Sequence, residues 1–234
     1  MEKHFALLDS LRVNDTSETA IAGPLAATPA LLASYKDSLA VMNTEAIADL
    51  IIARSYDSTL TLVTWDNGSG DHPIPETATL AIMGQPGRHT TSMVPEPPCL
   101  STYAEICPTF YYFEIYPLGG ALYLAVGSGK EPGPYPLRVI SAFRVEAGRL
   151  ERADIFPVLD SGDKANLFFE YDPRAAKGED PEFKVSGDTV LYPVITATPD
   201  GAGFDGRYKT LVFDGVRFTL SSAAKGYTSS RSRP

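Results

Sequence analysis

Residues 109–126, TFYYFEIYPLGGALYLAV, bring together side chains that could bind a ligand. Strand alternation and a four-residue turn at 117–120 place four aromatic rings and one carboxylate on a single face of the expected hairpin. These side chains are Phe110, Tyr112, Glu114, Tyr116 and Tyr123. Aromatic rings beside a carboxylate can stack on a sugar ring or grip a peptide. The pattern therefore predicts a shallow aromatic platform that binds a ligand.

The opposite face of this hairpin is expected to be apolar core. With the turn at 117–120, Ile115 faces Leu122 and Phe113 faces Leu124. The platform face has two alternatives to a ligand site, which are burial under N-terminal helices and contact with another protein. The single tryptophan, Trp65, is expected in the core or along a groove.

Motifs for nucleophilic catalysis are missing from the sequence. It contains neither a G-x-S-x-G elbow nor an H-E-x-x-H motif. Ser128 in GSGK lacks the strand-to-helix context of a nucleophile, and Leu124 stands where a phosphate loop needs glycine. His72 lies near Asp66 and Asp71 in a polar loop, a position that is typical of a solvated histidine without a catalytic role. The chain is therefore expected to be non-catalytic, with a polysaccharide hydrolase built from distant carboxylates as the alternative.

Glycine-rich and aspartate-rich segments do not complete a cofactor or metal site. The run DGAGFDG fits G-x-G-x-x-G through Gly201, Gly203 and Gly206, but strand-like residues follow it, so a turn is expected instead of a dinucleotide site. Neither of two acidic groups matches a complete calcium loop. Those groups are Asp200 with Asp205, and Asp160 and Asp163 with Asn166. The sequence predicts no cofactor and no metal.

Composition excludes two classes of partner. The 234 residues include 20 basic and 29 acidic side chains, which give a net charge of −9. A nucleic-acid-binding protein needs a basic surface, and no basic cluster is visible. No apolar run approaches the length of about 18 residues that a membrane-spanning helix needs. The 19 glycines and 19 prolines favour many turns and short strands.

The N-terminal segment and the cysteines bear on the compartment. The first 18 residues have one short apolar patch and do not read as a secretory signal. Either the protein is cytosolic or the sequence begins after a removed signal. Cys99 and Cys107 are close enough in sequence to form a local disulfide, with two reduced thiols as the alternative. The disulfide favours an extracytoplasmic setting.

Residues 1–57 are predicted to form a helical segment that packs on a sheet. Thr28 and Pro29 are typical of a helix start, and an apolar stripe follows at Leu32, Tyr35, Leu39 and Met42. Thr44 could cap a second helix with the same period. Its stripe would comprise Ile47, Leu50, Ile51 and Arg54.

Residues 58–221 are predicted to form a β-rich domain, because the apolar period changes to two. A proline-rich stretch at 85–98 is expected to cross the surface. Three hairpins share a glycine turn, at Gly148, Gly187 and Gly215. The expected fold is mainly β, an antiparallel meander sandwich or a barrel-like sheet, with residues 222–234 as a flexible tail. The predicted strands are Thr59–Trp65, Thr77–Met83, Thr109–Tyr116, Ala121–Val126, Arg138–Val145, Arg149–Phe156, Asn166–Tyr171, Phe183–Val185, Thr189–Thr196, Tyr208–Phe213 and Val216–Leu220.

Part of the β-rich domain resembles a group of uncharacterised secreted proteins of gut Bacteroidetes. The likeness covers about residues 109–220 and is carried by the runs LYLAVGSGKEPGPYPLRVISAFRVEAGRLERADIFP, NLFFEYD and YKTLVFDGVRF. Those proteins pair hairpins that have a central glycine with acidic turns, and they end on a Phe-Asp-Gly hairpin. The resemblance implies a β-rich fold and an extracytoplasmic location, in the periplasm or on the cell surface. It transfers no catalytic residue.

These observations favour an extracytoplasmic, non-catalytic binding protein. Its ligand would be a glycan, a peptide or an envelope protein. A polysaccharide hydrolase with carboxylates from separate strands and a purely structural subunit are the alternatives.

Overall fold

The structure, a computed structural model, describes residues 1, 3–7, 10, 18–42, 50–67, 77–95, 109–130, 135–159, 164–175, 180–198 and 201–221. Over these residues the protein is mainly β, with 55% strand, 14% helix and three antiparallel sheets. The predicted mainly β, antiparallel class is confirmed, and no closed barrel is found within the described part of the chain. Several predicted features lie outside the described residues, namely His72, Asp71, Cys99, Cys107, Asp160, Asp163, Asp200 and the tail at 222–234.

Sheet A is a four-stranded meander. Paired in chain order, its strands are β1 (Leu50–Arg54), β2 (Leu60–Asp66), β3 (Thr77–Met83) and β4 (Thr90–Met93). The prediction of a helix over Leu50–Arg54 is wrong, because this segment pairs with β2 along its whole length. Its β-branched residues Ile51 and Ile52 suit a strand, and pairing lets Ile52 and Ala53 pack on opposite faces of the sheet. β4 lies at the sheet edge, within the proline-rich stretch, where strand pairing tolerates nearby proline.

Sheet B has five strands. They are β5 (Thr109–Gly119), β6 (Leu122–Lys130), β7 (Leu137–Glu146), β8 (Arg149–Arg152) and β9 (Asn166–Glu170). The order is β5-β6-β7-β8, and β9 pairs with the first half of β7. The predicted hairpin between β7 and β8 is confirmed, and Gly148 in its turn has a φ of 76°, which glycine adopts without strain.

Sheet C is a second meander at the C-terminal end of the described chain. Its strands, in order, are β10 (Lys184–Ser186), β11 (Thr189–Thr198), β12 (Gly201–Phe213) and β13 (Phe218–Leu220). The two predicted hairpins with turns at Gly187 and Gly215 are confirmed. The predicted turn over the DGAGFDG glycines is wrong, because Gly201, Gly203 and Gly206 lie in the long strand β12.

Before sheet A, the described residues include the helices α1 (Glu18–Ser34) and α2 (Lys36–Leu39), and residues 3–7 are helical as well. Thr28 does not begin a helix as predicted but lies inside α1. Its hydroxyl bonds the Pro24 carbonyl oxygen at 3.1 Å and the His4 ring at 2.9 Å. Asp37 ties α2 to the sheet, because its carboxylate lies 2.6 Å from Nδ1 of the buried His89.

Three apolar clusters separate four layers in the order helices, sheet A, sheet B and sheet C. The first cluster joins the helices to one face of sheet A through Leu32, Leu39, Ile52, Val63 and Trp65, among others. The second lies between sheets A and B, and the third between sheets B and C. Both faces of sheets A and B are therefore buried, which explains why the first six residues of β2 are all buried.

We expect Leu32→Ala to lower the free energy of unfolding by about 2–5 kcal/mol, because it leaves a cavity between α1 and sheet A. Val41→Ala is the control, since Val41 is 66% exposed and should change stability by less than about 0.5 kcal/mol. Urea unfolding followed by fluorescence of the single tryptophan, Trp65, measures both variants. Equal effects of the two changes would show that the helices do not pack on sheet A.

Candidate functional site

The β5–β6 hairpin has a different register from the predicted one. Ile115 pairs with Ala125 instead of Leu122, and the pairing shifts at Phe113 and again near the turn. Phe113 is an extra residue on β5, a bulge, and the turn is tighter than four residues, with Gly120 and Ala121 both at positive φ. Because side chains alternate along a strand, these shifts reassign residues between the two faces.

Three of the five predicted platform residues are buried in the core between sheets A and B. They are Phe110, Tyr112 and Tyr123, each at most 6% exposed. The predicted exposure of this face is therefore wrong, and so is the alternative that the helices cover it. Sheet A covers it, because the helices occupy the opposite face of that sheet.

The hydroxyl group of the buried Tyr112 has a hydrogen-bond partner within the core. The Tyr112 hydroxyl lies 3.0 Å from the Ser141 Oγ, and the Tyr112 ring packs edge-on against Phe143. Burial raises the pKa of Tyr112 to about 12, against the opposing effects of Ser141 and Arg152. Glycine at position 127 lets β5 and β6 approach closely here, because a Cβ at this position would stand 2.5 Å from the Tyr111 carbonyl oxygen.

We expect Tyr112→Ala to lower the free energy of unfolding by about 3–5 kcal/mol, as other large-to-small changes of buried aromatic residues do. Phe113→Ala is the control, because Phe113 on the same strand is 45% exposed. Chemical denaturation of both variants checks the prediction. A loss below 1 kcal/mol for Tyr112→Ala would contradict its place in the core.

The two remaining platform residues, Glu114 and Tyr116, lie at the edge of sheet B and meet a third residue from sheet A. Tyr116 donates a hydrogen bond from its hydroxyl to the Glu114 Oε2 at 2.5 Å. The Tyr56 ring lies against the Tyr116 ring, with centroids 5.2 Å apart and planes inclined by 45°. We call Tyr56, Glu114 and Tyr116 the edge platform. Tyr56 is 73% exposed, so most of this residue is accessible to solvent.

The electrostatics of the edge platform keep Tyr116 protonated. Burial, the hydrogen bond to Glu114, the charge of that carboxylate and the neighbouring Tyr56 all raise the pKa of Tyr116 above its usual value. The phenol therefore stays a donor to Glu114 across the neutral pH range. Glu114 itself is exposed and keeps acceptor capacity for a ligand hydroxyl or ammonium group.

A rigid turn between β1 and β2 presents Tyr56. Asp57 accepts hydrogen bonds from the Ser55 hydroxyl at 2.6 Å and from the Thr59 hydroxyl at 2.7 Å and backbone N–H at 3.1 Å. The Thr59 hydroxyl also lies 2.7 Å from that of Tyr123. Ser55 forms a parallel bridge with Ile115, which brings the turn beside β5. The turn between β1 and β2 and the strand β5, which are distant in sequence, therefore build one site.

Tyr56 was missed by sequence reasoning, which counted the segment up to residue 57 as helical. The available signal was an aromatic residue inside a polar turn sequence, SYDST. Such a residue has no apolar neighbours in sequence with which to share a core, so exposure is the simplest expectation. Its partner Tyr116 could not be identified, because it depends on how sheets A and B meet.

We expect Asp57→Ala to lower the free energy of unfolding at pH 7 by about 1 kcal/mol, a value reduced for solvent screening at this partly exposed site. Partial burial raises the pKa of Asp57, but the hydrogen bonds from Ser55 and Thr59 outweigh it and hold the pKa below its usual value. The stabilisation is therefore present above pH of about 4 and is lost as the pH falls through the lowered pKa.

Urea unfolding of the wild type and Asp57→Ala at pH 7 and pH 3 measures this effect. The difference between the two proteins should shrink at the lower pH. Glu151→Ala, which removes an exposed carboxylate from β8, is the control. A difference that stays constant with pH would rule out the ionised carboxylate as the source of stability.

Other residues singled out in the sequence have structural roles where the structure describes them. Ser128 is buried and donates to the Leu137 carbonyl oxygen at 2.9 Å. Asp205 forms an ion pair with Arg207 at 2.8 Å, and Asn166 is buried at the start of β9. Within the described ranges, no group of three or more His, Cys, Asp and Glu residues is placed to hold a metal ion. No described helix is long and apolar enough to cross a membrane.

Comparisons of the chain with protein-family models, with curated proteins and with solved structures found no match. The function of the edge platform is accordingly argued from its own geometry.

Proposed function

We propose that the protein is a non-catalytic, extracytoplasmic binding module and that its ligand is a glycan held at the edge platform. The observation that supports this function is the exposed Tyr56 ring, braced by Tyr116 and adjacent to the Glu114 carboxylate. The location rests on the resemblance of residues 109–220 to secreted proteins.

A tyrosine ring is suited to the apolar face of a sugar because it offers a large contact area at low entropic cost. The Tyr56 backbone belongs to the hydrogen-bonded Asp57 turn, and the Tyr56 ring packs against the Tyr116 ring. A preorganised ring loses less freedom when a ligand binds, which improves affinity. The geometry therefore favours stacking on a pyranose ring.

Glu114 determines which sugars suit the platform. A carboxylate accepts hydrogen bonds from sugar hydroxyl groups and attracts ammonium groups, and it repels other carboxylates. We therefore expect neutral sugars and amino sugars to bind and uronic acids to be disfavoured. The net charge of −9 acts in the same direction.

Binding without hydrolysis is favoured by the carboxylates near the platform. Glycoside hydrolysis ordinarily uses two carboxyl groups on either side of the scissile bond. Glu114 is the one acid among the three residues of the edge platform, and the nearby Asp57 uses its Oδ1 for three hydrogen bonds within its own turn. The three residues of the platform thus supply one carboxylate, which is enough to bond a sugar hydroxyl, whereas cleavage ordinarily uses two.

Thermal unfolding of the purified protein against defined oligosaccharides tests the proposal. A ligand present at one hundred times its Kd adds about 2.7 kcal/mol of stability, which corresponds to roughly 5 to 10 °C in Tm for a chain of this size. Neutral or amino-sugar oligosaccharides should produce this shift, and oligouronates should not. Peptides of similar length serve as the comparison for a protein ligand.

Variants of the edge platform assign any binding to this site. Tyr56→Ala should weaken binding about tenfold, the equivalent of a lost stacking contact of about 1.4 kcal/mol, while Tyr56→Phe should retain it. Tyr35→Ala, which removes an exposed tyrosine beside α1, is the control. The proposal fails if oligosaccharides give no shift, or if Tyr56→Ala binds as tightly as the wild type.

A further inference from the structure

A groove of about 440 Å³ lies beside β13, the edge strand of sheet C. Its lining residues are Asp154 and 156–158 after β8, Lys164 before β9, and 217–220 at β13. The Phe156 and Phe218 rings, which stack at a centroid distance of 5.2 Å and are buried in the core between sheets B and C, form part of its lining. Val158 and Leu220 line it as well and are 72% and 52% exposed. An aromatic base with exposed aliphatic walls is suited to a large apolar side chain.

Backbone groups of β13 face this groove. Asp214 N–H bonds the Arg217 carbonyl and Ser221 N–H bonds the Thr210 carbonyl, so Thr219 is the residue that exchanges hydrogen bonds with β12. In an antiparallel pair, the N–H and C=O groups of the flanking residues then point away from the partner strand. Phe218 accordingly donates outward to the Ile155 carbonyl at 2.6 Å.

Leu220 is the next residue of β13 whose backbone N–H and C=O groups point away from β12. No hydrogen bond joins the Leu220 N–H to any described residue of the protein. A free outward N–H such as that of Leu220, beside an apolar groove, is a position at which an extended peptide can add as a short further strand. Backbone hydrogen bonds would then hold the peptide while its alternate side chains enter the groove.

Charge at the groove differs from that of the whole chain. The exposed cations Lys164 and Arg217 line it together with one carboxylate, Asp154, whereas the chain carries a net charge of −9. Outside the lining, hydrogen bonds from the Arg217 and Val216 backbone, and to a smaller extent the Arg217 charge, hold the pKa of the Asp214 carboxyl below its usual value. Among the residues that line the groove, two cations therefore outnumber one carboxylate, and this excess of one positive charge favours an acidic ligand.

We propose that the β13 groove binds an extended peptide that alternates apolar and acidic residues, by strand addition at Leu220. The apolar side chains would pack against Phe156 and Val158, and the acidic ones would face Lys164 and Arg217. The chain's own residues 222–234 do not suit this role, because they contain Lys225, Arg231 and Arg233 and no acidic residue. This site shares no lining residue with the edge platform.

Fluorescence anisotropy with labelled six-residue peptides tests the proposal on the full chain. The first probe alternates valine and glutamate, and the second alternates valine and lysine. We expect the glutamate peptide to bind at least tenfold more tightly. The double variant Lys164→Glu with Arg217→Glu should reverse this preference. Arg149→Glu, an exposed charge reversal on β8, is the control and should change neither affinity.

A backbone variant separates strand addition from simple charge attraction. Leu220→Pro removes the outward N–H and leaves the hydrogen bonds between Thr219 and β12 in place. We expect it to weaken the glutamate peptide at least tenfold with an unchanged Tm. If Leu220→Pro does not fold, an N-methyl group on a valine in the middle of the peptide tests the reciprocal hydrogen bond, which the peptide N–H would donate to the Leu220 carbonyl.

Three results would overturn the proposal. The first is an equal affinity of the wild type for both peptides, and the second is a glutamate-peptide affinity that the charge-reversed variant retains. The third is binding of octanoate, but not of the peptide, in a manner that depends on Lys164 and Arg217. That last result would make the groove a site for an amphiphilic carboxylate. None of these outcomes bears on oligosaccharide binding at Tyr56, so the two proposals fail separately.

Discussion

Burial of both faces of sheet B is the constraint on which the rest of the structure depends. Sheet A packs on one face and sheet C on the other, so every residue of β6 from Leu122 to Gly129 is buried. A sheet in this position needs apolar or hydrogen-bonded side chains on both faces, and the hydroxyls of Tyr112 and Tyr123 find partners at Ser141 and Thr59. Sheet A is held in the same way, with the helices on its outer face.

The bulge at Phe113 reconciles this double burial with an exposed binding surface. Before the bulge, Tyr112 points into the core between sheets A and B, and after it Ile115 does so. The extra residue leaves Phe113 and Glu114 exposed at the sheet edge, followed by the half-buried Tyr116. Bulges occur often at sheet edges and next to functional sites because they redirect side chains in this way.

The stacking of the described layers limits where a ligand could contact sheets A and B. The faces of sheets A and B are covered, so accessible backbone and side chains are concentrated at strand edges and turns. Both proposed sites lie at such positions, one where the turn at Tyr56 meets the edge of sheet B and one beside β13. The two edges differ in charge, with Glu114 at the first and Lys164 and Arg217 at the second, and this difference predicts different ligands.

Local patterns in the sequence determined the class of fold and most of its strands, because a period of two and glycine turns act over a few neighbouring residues. The hairpins at Gly148, Gly187 and Gly215 follow from such patterns. Tertiary structure alone decided that Leu50–Arg54 is a strand, since pairing with β2 overrides a helical apolar period. It also decided which aromatic residues are exposed. The bulge at Phe113 moves side chains from one face of β5 to the other, and the turn that carries Tyr56 reaches β5 from a distant part of the sequence. Neither effect can be predicted from neighbouring residues alone.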